Sequence, residues 1–112
     1  TRLGGQIILL RDAQHAKLIP MIVSIRHKGL ARFYETGSLA GIQAQHARRL
    51  RMLLASLDTA TVIADMDIPG FRLHPLKGER AGRWSVWVNG NWRITFEFLE
   101  GNASSIDYED YH

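Results

Sequence analysis

The chain has 112 residues, 46% of them hydrophobic and 22% charged, a size and balance that give one folded domain and exclude wholesale disorder. It has no cysteine, which removes disulfides, iron–sulfur clusters, cysteine zinc sites and a thiolate nucleophile together and fits a reducing, cytoplasmic setting. The formal charge is only +3, and no apolar run approaches the roughly 20 residues of a membrane span, so no membrane partner is expected.

Residues 1–20 differ from the rest of the chain. They begin on Thr1 and mix Arg2, Arg11, Asp12 and Lys17 with a short aliphatic run at residues 7–10. Neither the apolar core nor the small-residue cleavage site of a signal peptide is visible. We read this stretch as an N-terminal extension without identifiable chemistry, ahead of a domain over residues 21–112. That domain opens with a β-rich stretch at residues 21–25, read as a first strand. Leu30, Phe33 and Tyr34 at helical spacing then give a short helix stopped by Gly37. A longer amphipathic helix comes next, in which Ile42, His46, Leu50, Leu53, Leu54 and Leu57 form the apolar face and Arg48, Arg51 and Ala55 lie on another. A brief apolar turn around Val62, Ile63 and Met66 is closed by Pro69-Gly70.

Beyond Gly70 the period changes from helical to alternating, and eight of the ten aromatic residues lie there. Residues 71–76 read as a short strand. Trp84, Val86 and Val88 alternate with Ser85 and Trp87, Asn89-Gly90-Asn91 turns the chain, and Trp92, Ile94, Phe96 and Phe98 alternate with Arg93, Thr95 and Glu97. Glu100-Gly101-Asn102 makes a second turn into a last strand over residues 103–108. The expected fold is therefore α+β, in the order β-α-α-β-β-β-β, with an antiparallel sheet covered on one face by two helices.

Charge is unevenly placed along this frame. Residues 26–51 carry six Arg and Lys against Glu35 alone, and residues 72–93 carry five against Glu79 alone, a distribution suited to a polyanion such as RNA. Alternation turns Phe71, Leu73 and Pro75 one way and Arg72 and His74 the other, and it sets Arg93 on the face away from the helices. Lys77 lies in the next turn, and the chain ends Asp110-Tyr111-His112. Histidine, lysine, arginine and tyrosine on one face suit cleavage of RNA by its own 2′-hydroxyl. Two imidazoles can divide the acid and base roles near neutral pH. Lys77 and Arg93 would stabilise the charge that develops on phosphorus, and Tyr111 would stack or reach the phosphate. His27 and His46 read as packing or surface residues. His74 with Asp110 and His112 makes a poor metal set without a supporting carboxylate cluster, so no metal is expected.

The residues also resemble a family. His27-Lys28-Gly29-Leu30, the run Ile68-Pro69-Gly70-Phe71-Arg72-Leu73-His74-Pro75-Leu76-Lys77-Gly78, Trp84-Ser85-Val86, the run Val88-Asn89-Gly90-Asn91-Trp92-Arg93-Ile94-Thr95-Phe96 and the terminal Tyr108-Glu109-Asp110-Tyr111-His112 together resemble the HigB branch of the RelE-type bacterial toxins, also called plasmid maintenance killer proteins. The resemblance covers everything after the extension, which is atypical because such chains usually begin near Met21. It implies a RelE-like fold and a type II toxin that cleaves mRNA in the ribosomal A site without a metal or other cofactor. It further implies a helix-turn-helix antitoxin partner, HigA-like, through which alone operator DNA is bound. By the same resemblance the active site falls on His74, Asp110, Tyr111 and His112, with Lys77 and Arg93 contacting RNA or phosphate. We assign His74 as base, Asp110 as orienting or sharing that role, and His112 as acid, with the reverse order as the alternative. Arg48 and Arg51 are expected to bind ribosomal RNA in a salt-dependent way. The alternative of another class is a lapsed toxin, a non-catalytic module that only binds its antitoxin or RNA.

Overall fold

A computed structural model describes residues 21–111; the extension at residues 1–20 and the terminal His112 lie outside the described residues. Helix α1 (Lys28–Thr36) is started by His27, whose Nδ1 accepts a hydrogen bond from the Leu30 N–H at 3.0 Å. This side chain takes the place of the Ser, Asp or Asn usual at a helix start. The helix ends at Gly37, left-handed with φ 81°, whose N–H returns to the Phe33 carbonyl. A 3-10 turn at Ala44–His46 leads into α2 (Ala47–Thr59), which buries Ala47, Leu50, Leu53, Leu54 and Leu57. The opposite side leaves Arg48 and Arg51 exposed, as the helical spacing requires. Tyr34 ties the two helices by donating its hydroxyl to the Asp58 carboxylate at 2.9 Å. Burial, and then that bond, push the Tyr34 phenol up to about 12.

The sheet has four antiparallel strands in sequential order, β1 (His74–Pro75), β2 (Arg83–Asn89), β3 (Trp92–Leu99) and β4 (Asn102–Asp110). Two-residue turns join the last three. Gly90 takes φ 55° in the first; in the second both Glu100 and Gly101 are left-handed, at 52° and 82°, the requirement of a type I′ hairpin. The helices pack on one face, where Leu30, Phe33, Leu50 and Leu53 meet Val86, Ile94, Phe96, Ile106 and Tyr108 in one core. Among the described residues no helix is long and apolar enough to cross a membrane.

Two elements depart from the sequence reading. Residues 21–25 form no strand of this sheet but two isolated parallel bridges to β4, Ile22 to Ala103 and Ile25 to Ile106. The reason lies in β4, where Ser105 adopts φ 49° and the register with β3 slips by one residue. That bulge keeps Ala103, Ile106 and Tyr108 all on the core side, and it limits the incoming chain to backbone pairing at Ala103 and Ile106. The strand expected over residues 71–76 shortens to His74–Pro75. It is bounded in front by Arg72, left-handed at φ 53°, and it ends on Pro75, which lacks an N–H for the ladder.

Candidate active site on the sheet face away from the helices

The register writes out this face in two rows. His74 pairs with Ser85, Ser85 with Thr95 and Thr95 with Asp107. Two residues along, Trp87 pairs with Arg93 and Arg93 with Glu109. The backbone N–H of Trp87 bonds the Phe71 carbonyl at 2.7 Å, so the chain before β1 stays alongside β2. Arg72 therefore comes next to Trp87, its guanidinium carbon 4.1 Å above the ring centroid.

A polar network crosses both rows. Arg80, from the 3-10 turn Gly78–Arg80, reaches over to Glu109 at 2.5 Å and donates to the Tyr111 hydroxyl at 3.1 Å. Glu109 also accepts from the Thr95 hydroxyl, and Thr95 accepts from Arg83 at 3.0 Å. Burial works to raise the Glu109 carboxyl, but the bonds from Thr95 and Arg80 outweigh it and hold the group below the usual range. The same bond to Glu109 raises Arg80, and both therefore stay charged at neutral pH. Burial lowers the Arg83 guanidinium.

Tyr111 is fixed at both ends. Its backbone N–H bonds the Asn91 carbonyl at 2.7 Å, and its ring lies 5.9 Å from the Arg93 guanidinium carbon. The Nε and Nη1 donors of Arg93 have no protein acceptor. His74 is exposed, with Nδ1 3.1 Å from the Arg72 carbonyl.

Of the residues singled out from the sequence, the fold thus gathers Arg93 and Tyr111 and puts His74 on the same face, two interstrand steps of about 4.8 Å from β3. Lys77 is exposed at the start of the neighbouring turn. Asp110 pairs with Trp92, whose ring packs on His46 and Tyr108 under the helices. Strand alternation therefore starts Asp110 from the other side of the sheet, three strands from His74. Arg48 and Arg51 sit on α2, in the layer opposite His74, and Arg51 lies 5.6 Å from the Phe33 ring. His112 lies outside the described residues. Among those that are described, no three His, Asp or Glu side chains come together as a metal site. Arg80, Thr95 and Glu109 were not singled out, because their meeting depends on a side chain reaching across strands, which alternation alone does not reveal.

Comparison with known proteins decides the family. The family model of the RelE-like toxin of the type II toxin–antitoxin system HigB matches residues 23–112. The endoribonuclease HigB of Proteus vulgaris is 48% identical over 92 residues, which is 82% of this chain and 100% of that protein. The chain belongs to the HigB-like toxins. As a toxin of a type II pair it has an antitoxin partner, and the α+β fold with two helices on a four-stranded antiparallel sheet is the RelE-like fold that the family implies. In this HigB-like toxin the matched region contains His74, Lys77, Arg93, Asp110, Tyr111 and His112.

Proposed function

We propose that this toxin is an endoribonuclease that cuts mRNA in the ribosomal A site by attack of the RNA's own 2′-hydroxyl, with residues 21–112 as the working domain. The observation behind this reading is the sheet face itself, where Arg93 lies beside Tyr111 and His74 shares the face from β1. A guanidinium on that face suits a phosphate oxygen. In the reaction His74 takes the 2′-hydroxyl proton, the 2′-oxygen bonds to phosphorus and the bond from phosphorus to the 5′-oxygen breaks. His112 supplies the proton to the leaving 5′-oxygen; the reverse division of the two roles gives the same balance. Arg93 and Lys77 stabilise the negative charge that grows on the phosphorus oxygens, while Tyr111 contacts the phosphate or stacks on a base. Asp110 takes the orienting role, or shares that of the base, as the resemblance implies. The chemistry needs no metal.

The partners that complete the reading are a HigA-like helix-turn-helix antitoxin, the ribosome with its mRNA, and operator DNA only through the antitoxin, all in the cytoplasm. The test uses the full chain on ribosomes programmed with defined mRNA. Cut ends should carry a 2′,3′-cyclic phosphate and a 5′-hydroxyl, and a single 2′-deoxy substitution at the cut nucleotide should abolish cutting there. Cutting that survives the 2′-deoxy substitution overturns the mechanism; a protein that binds programmed ribosomes and leaves mRNA intact is the lapsed toxin.

A further inference from the structure

Three features meet around His74 that the proposed chemistry does not use. The first is the contact of its Nδ1 with the Arg72 carbonyl at 3.1 Å. A carbonyl oxygen only accepts, so Nδ1 must carry the hydrogen. The hydrogen bond on one ring nitrogen sets the state of the other, and neutral His74 is then left with its lone pair on Nε2.

The second feature is Arg72 itself. It is a large side chain on a left-handed backbone, φ 53°, a conformation that persists in non-glycine residues only when the surroundings hold it. What holds it is the third feature, Trp87. The Arg72 guanidinium lies 4.1 Å above the Trp87 ring, close enough for a strong cation–π contact. The indole is fixed in turn by its Nε1–H, which donates to the Gly90 carbonyl at 2.9 Å. Arg49 locks the backbone on either side by donating to the Gly70 carbonyl at 2.7 Å and the Trp87 carbonyl at 2.9 Å. The residue after Gly90 in that turn, Asn91, accepts from the Tyr111 N–H. One turn thus anchors both the indole that holds Arg72 and the end of the chain.

We propose that Arg72 and Trp87 are positioning residues: their stack holds the Arg72 carbonyl where it fixes His74 as the Nδ1–H tautomer, so that Nε2 faces the RNA. This deepens the proposed function and rests on it for the role of His74. It also assigns the Trp87 ring, whose face is already taken by Arg72, to structure within the site and not to stacking on a nucleobase.

Two-bond proton–nitrogen correlation spectra of the ¹⁵N-labelled full chain test the tautomer directly. With the His74 ring neutral, its Nδ1 should show the protonated signature and its Nε2 the lone-pair signature. Arg72→Gly keeps a residue that accepts φ 53° and removes the guanidinium; Trp87→Leu removes the ring. Each should mix the two tautomers and lower single-turnover cutting on programmed ribosomes by about 10- to 100-fold, the range for a misplaced reacting group. Ribosome affinity should not change. Arg72→Lys, which keeps a cation over the ring, should recover both readouts in part, and it serves as the informative variant if Arg72→Gly does not fold. An Nε2–H tautomer in the unmodified protein overturns the proposal. So does a loss of ribosome or mRNA affinity with tautomer and cutting rate unchanged, which would make Trp87 an RNA-stacking surface. If the tautomer is as stated but His74→Ala cuts at the normal rate, the positioning stands and the role of His74 in the proposed function fails.

Discussion

His46 and His74 show how differently one residue type is used in this small domain. His46 is 2% exposed, and burial holds its imidazole below the ordinary histidine range. The Tyr108 hydroxyl accepts from the Gln43 N–H at 3.3 Å and lies 2.6 Å from the His46 Nδ1, a partner that a neutral ring can bond in either tautomer. Proton linkage sets the sign of the effect on stability. A histidine held neutral in the fold contributes stability that is complete above its unfolded pKa, about 6.5, and is lost as pH falls below it, at up to about 1.4 kcal/mol per pH unit until the folded pKa is reached. The urea midpoint should therefore fall between about pH 7 and about pH 5, and His46→Gln should flatten that decline. An unchanged decline in the variant would assign it to other groups. The sequence pattern already told the two histidines apart, since His46 falls on the apolar stripe of a helix and His74 opposite Phe71 and Leu73 on a strand. It did not show Glu109 as the carboxylate that ties Arg80 to Thr95, because nothing in the local pattern indicates that the turn carrying Arg80 folds back over the sheet.

At the scale of elements, the turns and the helix stop were readable because glycine conformations are local. Gly37, Gly90 and Gly101 all have positive φ, and each stands where the hydrophobic period breaks. The bulge at Ser105 was not readable, since a serine at φ 49° looks like any strand residue in sequence. With it went the true state of residues 21–25. The contact between α1 and the approach to α2 was also hidden: a Cβ at Gly29 would lie 2.2 Å from the Gly41 carbonyl oxygen, so the two chains meet backbone to backbone. Gly29→Ala must push them apart and should cost about 1–3 kcal/mol, the range for overpacking. Gly37→Ala, where a Cβ would meet nothing within 4 Å but φ is 81°, should cost only about 1 kcal/mol. Thermal unfolding of the two variants measures this, and an equal or reversed order would contradict the close approach.

Among the described residues, basic charge lies on both layers of the molecule. Arg72, Lys77, Arg80 and Arg93 belong to the sheet side, whereas Arg48 and Arg51 are exposed on the helix layer behind it. Composition showed the two basic stretches but not that the fold splits the first, setting Arg48 and Arg51 on the helix layer while Arg26 pairs with Asp107 and Arg49 reaches the Trp87 carbonyl. In the proposed reading the sheet face holds the cut nucleotide and α2 supplies charge toward surrounding ribosomal RNA. Arg48→Ala with Arg51→Ala should then weaken ribosome binding, reduce the slope of log affinity against log salt by up to about 2, and leave the cutting rate of bound toxin unchanged. An unchanged slope would remove α2 from the interface.

Whether the His74 face cuts RNA is tested most directly by the single-turnover rate of His74→Ala on programmed ribosomes saturated with the full chain. The expected result is a fall of about 100-fold or more at unchanged ribosome occupancy, the scale of a lost general acid or base; a rate equal to that of the unmodified toxin would contradict a catalytic role for this face.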